Sequence, residues 1–171
     1  DYDYSSLRHF IYGAAPTSAA KLKEAIEVFG PVMTQAYGQT EVPTSVAYMS
    51  PKDHLNPDGT VNERRLLSCG RPAPFTRMAI MDDDGQILPP GAIGEIVVQG
   101  GLVMQGYYKN PEATADASRF GWHHTGDLAY QDEDGFIYVC DRKKEMIISG
   151  GYNVYPLEVE QALLQHPSVR D

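Results

Sequence analysis

Apolar and polar positions change their period twice along the chain. Residues 7–12, "LRHFIY", form a short apolar run that reads as a buried strand, and "GAAP" breaks it. In "TSAAKLKEAIEVFG", Leu22, Ala25, Ile26 and Phe29 recur at helical spacing. Thr17 or Ser18 is placed to cap the start, and Gly30-Pro31 marks the end. "VMTQAY" is a second short strand, ended by "GQTE". Strand, helix, strand in this order predicts two parallel strands with a crossover helix. "GAAP" and "YGQTE" then fall at the carboxyl ends of the strands, where open parallel sheets bind ligands, and should be neighbours in space.

From about Thr76 the period becomes strand-like. "TRMAIMD", "GEIVVQG", "LAYQD" and "FIYVCDR" are separated by "DDDG", "PPGAIG" and "DEDG", and Asp-Gly between extended runs is a strong hairpin signal. An antiparallel, barrel-like subdomain is expected. "EMIISG" follows as a strand, and Pro156 opens a helix, "LEVEQALLQH", with Leu157, Leu163 and Leu164 available for burial. The fold class is α/β: a parallel strand-helix-strand segment, the antiparallel subdomain, then the start of a small α+β domain. The last residues, "HPSVRD", with Pro167 ending a helix and Val169 opening something extended, suggest a piece of a larger protein.

Composition narrows the function classes. A formal charge of −9 over 171 residues disfavours broad binding to nucleic acid or anionic membranes, so anionic ligands must be held by local devices. No apolar run reaches the roughly 18 to 20 residues needed to span a bilayer, and "DYDYSSLRHF" lacks the features of a signal peptide. A cytoplasmic chain is expected. Cys69 and Cys140 have neither disulfide-framework nor zinc-site spacing.

Three stretches could carry chemistry. "YGQTE" offers an aromatic face in Tyr37, a glycine permitting close approach in Gly38, a hydroxyl in Thr40 and a carboxylate in Glu41. Adenine stacking, a phosphate contact and Mg²⁺ binding would use these groups, although a loop capped by Thr and Glu fits the same residues. In "HHTGD", Asp127 beside a glycine can accept both hydroxyls of a ribose. His123 and His124 read as structural, since adjacent strand residues face opposite ways. The run Arg142, Lys143, Lys144 suits ribose or phosphate contacts if a nucleotide is near, and is otherwise a solvated cluster.

Taken together, "GAAP", "YGQTE", "GEIVVQGGLVMQGYYKNPEAT", "GWHHTGDLAYQDEDGFIYVCDRKKEMI" and "SGGYNVYPLEVE" resemble the adenylate-forming (AMP-binding) superfamily of acyl-CoA synthetases, luciferases and peptide-synthetase adenylation domains. The resemblance spans nearly the whole chain and is nearer to fatty-acyl and aryl-CoA ligases. It implies an acid–thiol ligase that joins a small-molecule carboxylic acid to ATP, releases pyrophosphate, and passes the acyl group to coenzyme A. By this resemblance Gly13, Ala14, Ala15, Tyr37, Gly38 and Gln39 border the nucleotide, and Tyr12, Gly13 and Gly38 border the acyl pocket. Thr40 contacts the α-phosphate, Glu41 binds Mg²⁺, and Asp127 and Arg142 hold the ribose. Lys144 matches a hinge, and Gly150 and Gly151 match a loop at the coenzyme A tunnel. Tyr12 stands where many relatives have a small residue.

The implied organisation is the end of a large domain over 1–66, the barrel-like subdomain over 67–141, a hinge at 142–144 and a mobile domain from 145. The family's phosphate loop and catalytic lysine are expected outside this chain, which alone should not turn over. A carrier-protein thiol as acceptor and a non-catalytic nucleotide- or acyl-adenylate-binding module are the alternatives.

Overall fold

In the computed structural model, which describes residues 2–15, 17–150, 152–164, 166 and 168–169, the first unit is the expected crossover. Strand β1 (Phe10–Gly13), helix α1 (Ala19–Phe29) and strand β2 (Met33–Gln39) follow in order, with β1 and β2 parallel in the register Phe10↔Met33 to Gly13↔Ala36. Ser18 is the cap: its hydroxyl accepts from the Lys21 N–H, one of the donors a helix start leaves unpaired. Gly30, at φ 81°, ends the helix in a conformation that most side chains resist. Leu22 and Ile26 are buried against Met33 and Leu66.

The strand expected over 7–12 is shorter and less buried. It begins at Phe10, and Ile11 is 70% exposed. The reason is position: β1 is an edge strand among the described residues, and Phe10, itself exposed, stacks on Phe29 with centroids 5.2 Å apart.

Strand β3 (Val42–Met49) was not anticipated, because Pro43 and the small polar residues after it interrupt the apolar pattern. It pairs antiparallel with β2, so Thr40 and Glu41 form the tip of a tight hairpin closed by Gln39↔Val42. Strand β4 (Arg71–Pro72) completes the sheet in the order β1-β2-β3-β4.

The second sheet contains β5 (Arg77–Met81), β6 (Gly94–Gln99), β7 (His123–Gln131) and β8 (Ile137–Arg142), paired antiparallel in sequence order. Helix α2 (Pro111–Asp116) lies in the β6–β7 connection. The "barrel-like" expectation becomes an open sheet: among the described residues β5 and β8 do not pair. The β8 edge instead meets the first sheet through the bridge Gly70↔Ile137. Val42, Val46 and Ala47 of β3 face Ile80, Ile96, Val98, Ala129 and Ile137, giving one core between the two layers.

Beyond the basic run come the hairpin β9 (Ile147–Ser149) and β10 (Tyr152–Val154), then α3 (Pro156–Leu163). Leu163, expected to be buried, is 56% exposed, and Leu157 and Leu164 are half-buried. Helix α3 meets β8 through its first turn, where the Leu157 N–H donates to the buried Asp141 carboxylate at 3.1 Å. No helix among the described residues is long and apolar enough to cross a membrane.

Candidate functional site

A cleft of about 880 Å³ opens where the carboxyl ends of β1 and β2 face β7, β8 and the first turn of α3. Tyr12, Ala14, Ala15, Tyr37 and Gly38 line it on one side, and Asp127, Arg142 and Leu157 on the other. Gly13, Ala14 and Ala15 therefore lie beside Tyr37 and Gly38, as the crossover requires. Gly13 makes this possible: at φ 153° it packs so tightly on β2 that an added Cβ would stand 2.0 Å from the Ala36 carbonyl oxygen. Ala14 follows at φ 66°, an uncommon conformation for a residue with a side chain, and bends the chain along the cleft.

One buried carboxylate links the two sheets. Asp127 and Arg142 are cross-strand partners in β7 and β8, and the Arg142 Nε stands 2.8 Å from the Asp127 Oδ1. The Tyr37 hydroxyl donates to the Asp127 Oδ2 at 2.5 Å. Burial pushes the Asp127 carboxyl above its ordinary range, opposed by the Tyr37 hydrogen bond and the Arg142 charge. Burial, then the Asp127 charge, raises the Tyr37 phenol, which stays a neutral donor. Three expected residues are thus one hydrogen-bonded unit on the cleft wall. Gln39 reaches the same strand, its amide 3.5 Å from the Thr125 carbonyl.

Thr40 and Glu41 sit apart from this wall, at the β2–β3 tip, and neither lines the cleft. Thr40 is exposed. The Tyr107 hydroxyl donates to the Glu41 Oε1 at 2.8 Å, and this bond holds the carboxyl below its ordinary range against the effect of burial. No side chain among the described residues takes its second oxygen. Nearby, His123 is 3% exposed with no partner for either ring nitrogen among the described residues. His124 is held by the Glu95 carboxylate and the Arg119 carbonyl.

The three basic residues have three fates. Arg142 joins Asp127. Lys143, read from sequence as a charge for phosphates, is instead paired with the Asp83 and Glu95 carboxylates, because the buried Glu95 draws the nearest cation. Lys144 is exposed in the turn after β8. Gly150, at φ 59°, stands at the tip of the β9–β10 hairpin, and Gly151 lies outside the described residues.

Tyr12 is anchored by its hydroxyl, 3.0 Å from the His54 Nε2. The His54 Nδ1 donates to the Ser50 carbonyl and burial lowers the imidazole's affinity for a proton, so Nε2 is the acceptor. Sequence reasoning missed Tyr107, Glu95 and His54. "GEIVVQG" does place a carboxylate in an otherwise apolar strand, a signal that Glu95 needs buried partners.

Glu41 suits a metal that keeps its waters and arrives with nucleotide phosphates, for which one carboxylate suffices. Among the described residues no group of three or more His, Cys, Asp or Glu could hold a metal alone.

A sequence model described as "AMP-binding enzyme" matches residues 1–108. The chain is 46% identical over 167 residues to the medium/long-chain fatty-acid–CoA ligase FadD8 of Mycobacterium tuberculosis, covering 98% of the chain and 28% of that protein. It is 38% identical over 169 residues to the fatty acid–[acyl-carrier-protein] ligase ScoC of Streptomyces coeruleorubidus, covering 99% of the chain and 32% of that protein. Its structure matches O-succinylbenzoate coenzyme A synthetase (MenE) from Bacillus subtilis, in complex with ATP and magnesium ion. That match has a TM-score of 0.82 and 34% identity, over 98% of this chain and 35% of that one. The chain spans about a third or less of the length of these relatives.

Proposed function

The chain belongs to the AMP-binding enzyme family, and from that premise we propose that it is the nucleotide-holding part of a cytoplasmic, ATP-dependent acyl-CoA ligase. The observation that carries the reading is the Tyr37–Asp127–Arg142 unit on the cleft wall opposite Gly13, Ala14 and Ala15. Asp127 keeps acceptor capacity for ribose hydroxyls, since a carboxylate offers about four lone-pair sites and Tyr37 and Arg142 use two. The Arg142 guanidinium, its side chain 57% exposed, keeps further donors for the same sugar. The ring of Tyr37 and the backbone of Gly38 offer a flat, closely approachable surface for adenine.

In the proposed first half-reaction a carboxylate attacks the α-phosphate and pyrophosphate leaves, so two anions must meet in line. Thr40 offers a hydroxyl to the α-phosphate from the hairpin tip, and Glu41, kept ionised by Tyr107, would hold Mg²⁺. When bound, Mg²⁺ supplies neutralisation of phosphate charge. In the second half-reaction the segment from Lys144 onward turns, and Gly150 and Gly151 border the coenzyme A thiol. Tyr12 and Gly13 border the acyl pocket. A carrier-protein thiol as acceptor is the second reading, favoured by the similarity to ScoC. The chain by itself, about a third or less of these relatives' length, is expected not to turn over.

The test is acid-dependent exchange of pyrophosphate into ATP by the ligase carrying this chain, across fatty, aryl and amino acids, with and without Glu41→Ala. Exchange with fatty or aryl acids that is lost on substitution supports the reading. Absence of exchange with every acid overturns it in favour of a non-catalytic binding module. Coenzyme A against a phosphopantetheinyl carrier then decides the acceptor.

A further inference from the structure

Glu95 is the most heavily engaged buried charge outside the proposed nucleotide contacts. Its carboxylate, 6% exposed, accepts from the Gly126 N–H at 2.9 Å on one oxygen, and on the other from His124 and from the Lys143 ammonium, each at 3.1 Å. The Lys143 N–H in turn donates to the Gly126 carbonyl at 2.8 Å. Glu95, Gly126 and Lys143 therefore close a ring of three hydrogen bonds, reinforced by Asp83 on the same ammonium.

The ring encloses a strand irregularity. Glu95 pairs with Leu128 and Val97 with His124, so β7 carries two more residues than β6 across the same stretch. Gly126 occupies that bulge at φ 77°, and its absent side chain would have met nothing within 4 Å, so the backbone conformation and not space demands glycine. Asp127 is the next residue, and its partner Arg142 immediately precedes Lys143. The ring thus ties the two strands together at the step next to the Asp127–Arg142 pair. Burial alone would raise the Glu95 carboxyl, yet the bonds from His124, Lys143 and Gly126 hold it below its ordinary range, in keeping with an ionised hub.

We infer that Glu95 and Lys143 are a positioning pair for the nucleotide site: through Gly126 they hold Asp127 and Arg142 in register for the ribose. The inference rests on the nucleotide reading above. Neither residue lines the cleft, so their loss acts on nucleotide affinity and spares the acid.

The test uses Glu95→Gln, Lys143→Met, Lys143→Arg and the double variant Glu95→Gln/Lys143→Met in the ligase carrying this chain. The readouts are KM for ATP and for the acid in pyrophosphate exchange, and the Kd for AMP by calorimetry. Each charge-deleting variant is expected to raise KM for ATP and Kd for AMP about fivefold or more, with KM for the acid unchanged. Lys143→Arg restores the wild-type values, and the double variant is no worse than the worse single, because both break the same ring. Wild-type nucleotide constants in both charge-deleting variants overturn the inference, as does a parallel rise in both KM values, the mark of general loosening. Should the wild type bind AMP without exchange, the ligase reading fails while the AMP constants still decide for or against the pair. No AMP binding by the wild type overturns both.

Discussion

Replacing Asp127 by Asn separates stability from function in a way that a purely structural carboxylate would not. Asp127 is 5% exposed, and burial holds its carboxyl above the ordinary range despite Tyr37 and Arg142. A carboxyl raised in the folded state contributes stability below its unfolded pKa and loses it as pH rises through the folded one, so near neutral pH the ionised group works against folding. Asparagine removes that charge and keeps the shape. Its carbonyl can accept from Arg142, while its amide donates to the Tyr37 oxygen, which accepts as readily as it donates. Melting temperature is therefore expected to hold or rise. Ribose hydroxyls lose a charged acceptor, worth roughly 1.5–3 kcal/mol, which converts to a KM for ATP about 10- to 150-fold higher. Thermal melts of the ligase carrying this chain, with ATP titrations of pyrophosphate exchange, give both numbers. A clear fall in melting temperature with an unchanged KM for ATP would refute the reasoning.

Further substitutions probe other parts of the account. Tyr107→Phe removes the bond that chiefly lowers the Glu41 carboxyl, so the acid limb of the pH–rate profile should move to higher pH, read from exchange rates between about pH 4 and 7. Gly13→Ala forces a Cβ into the Ala36 carbonyl and should lose about 2–4 kcal/mol in denaturant unfolding. Ser18→Ala deletes the α1 cap and should cost about 1 kcal/mol by the same measurement, leaving KM for ATP unchanged.

Legibility in the sequence followed the range of the interactions involved. Helix α1 was readable because its cap, apolar stripe and glycine stop are local, and the hairpins of the second sheet because Asp-Gly turns are local too. The neighbourhood of Ala14 and Ala15 with Tyr37 and Gly38 followed from crossover geometry. Strand β3 was missed because pairing with β2 outweighed Pro43, and the exposure of Ile11 because strand burial depends on what lies beside the sheet. At the site, Asp127 and Arg142 stood out by their motifs, whereas their tie to Tyr37 spans 90 residues and left no spacing signal. Lys143 shows the limit most clearly. Beside Arg142 it looks like a phosphate ligand, and only Glu95 and Asp83, 48 and 60 residues away, make it a structural cation.

The cleft bearing Tyr37, Asp127 and Arg142 is proposed to hold the adenylate. The most direct measurement is calorimetric titration of a non-hydrolysable acyl-adenylate, an acyl-sulfamoyl adenosine, into the ligase carrying this chain and into its Arg142→Ala variant. Saturable one-to-one binding by the wild type is expected, with affinity at least about tenfold weaker in the variant, the loss expected for a charged hydrogen bond to the sugar. Equal affinity in both proteins, or no binding by either, would contradict that proposal.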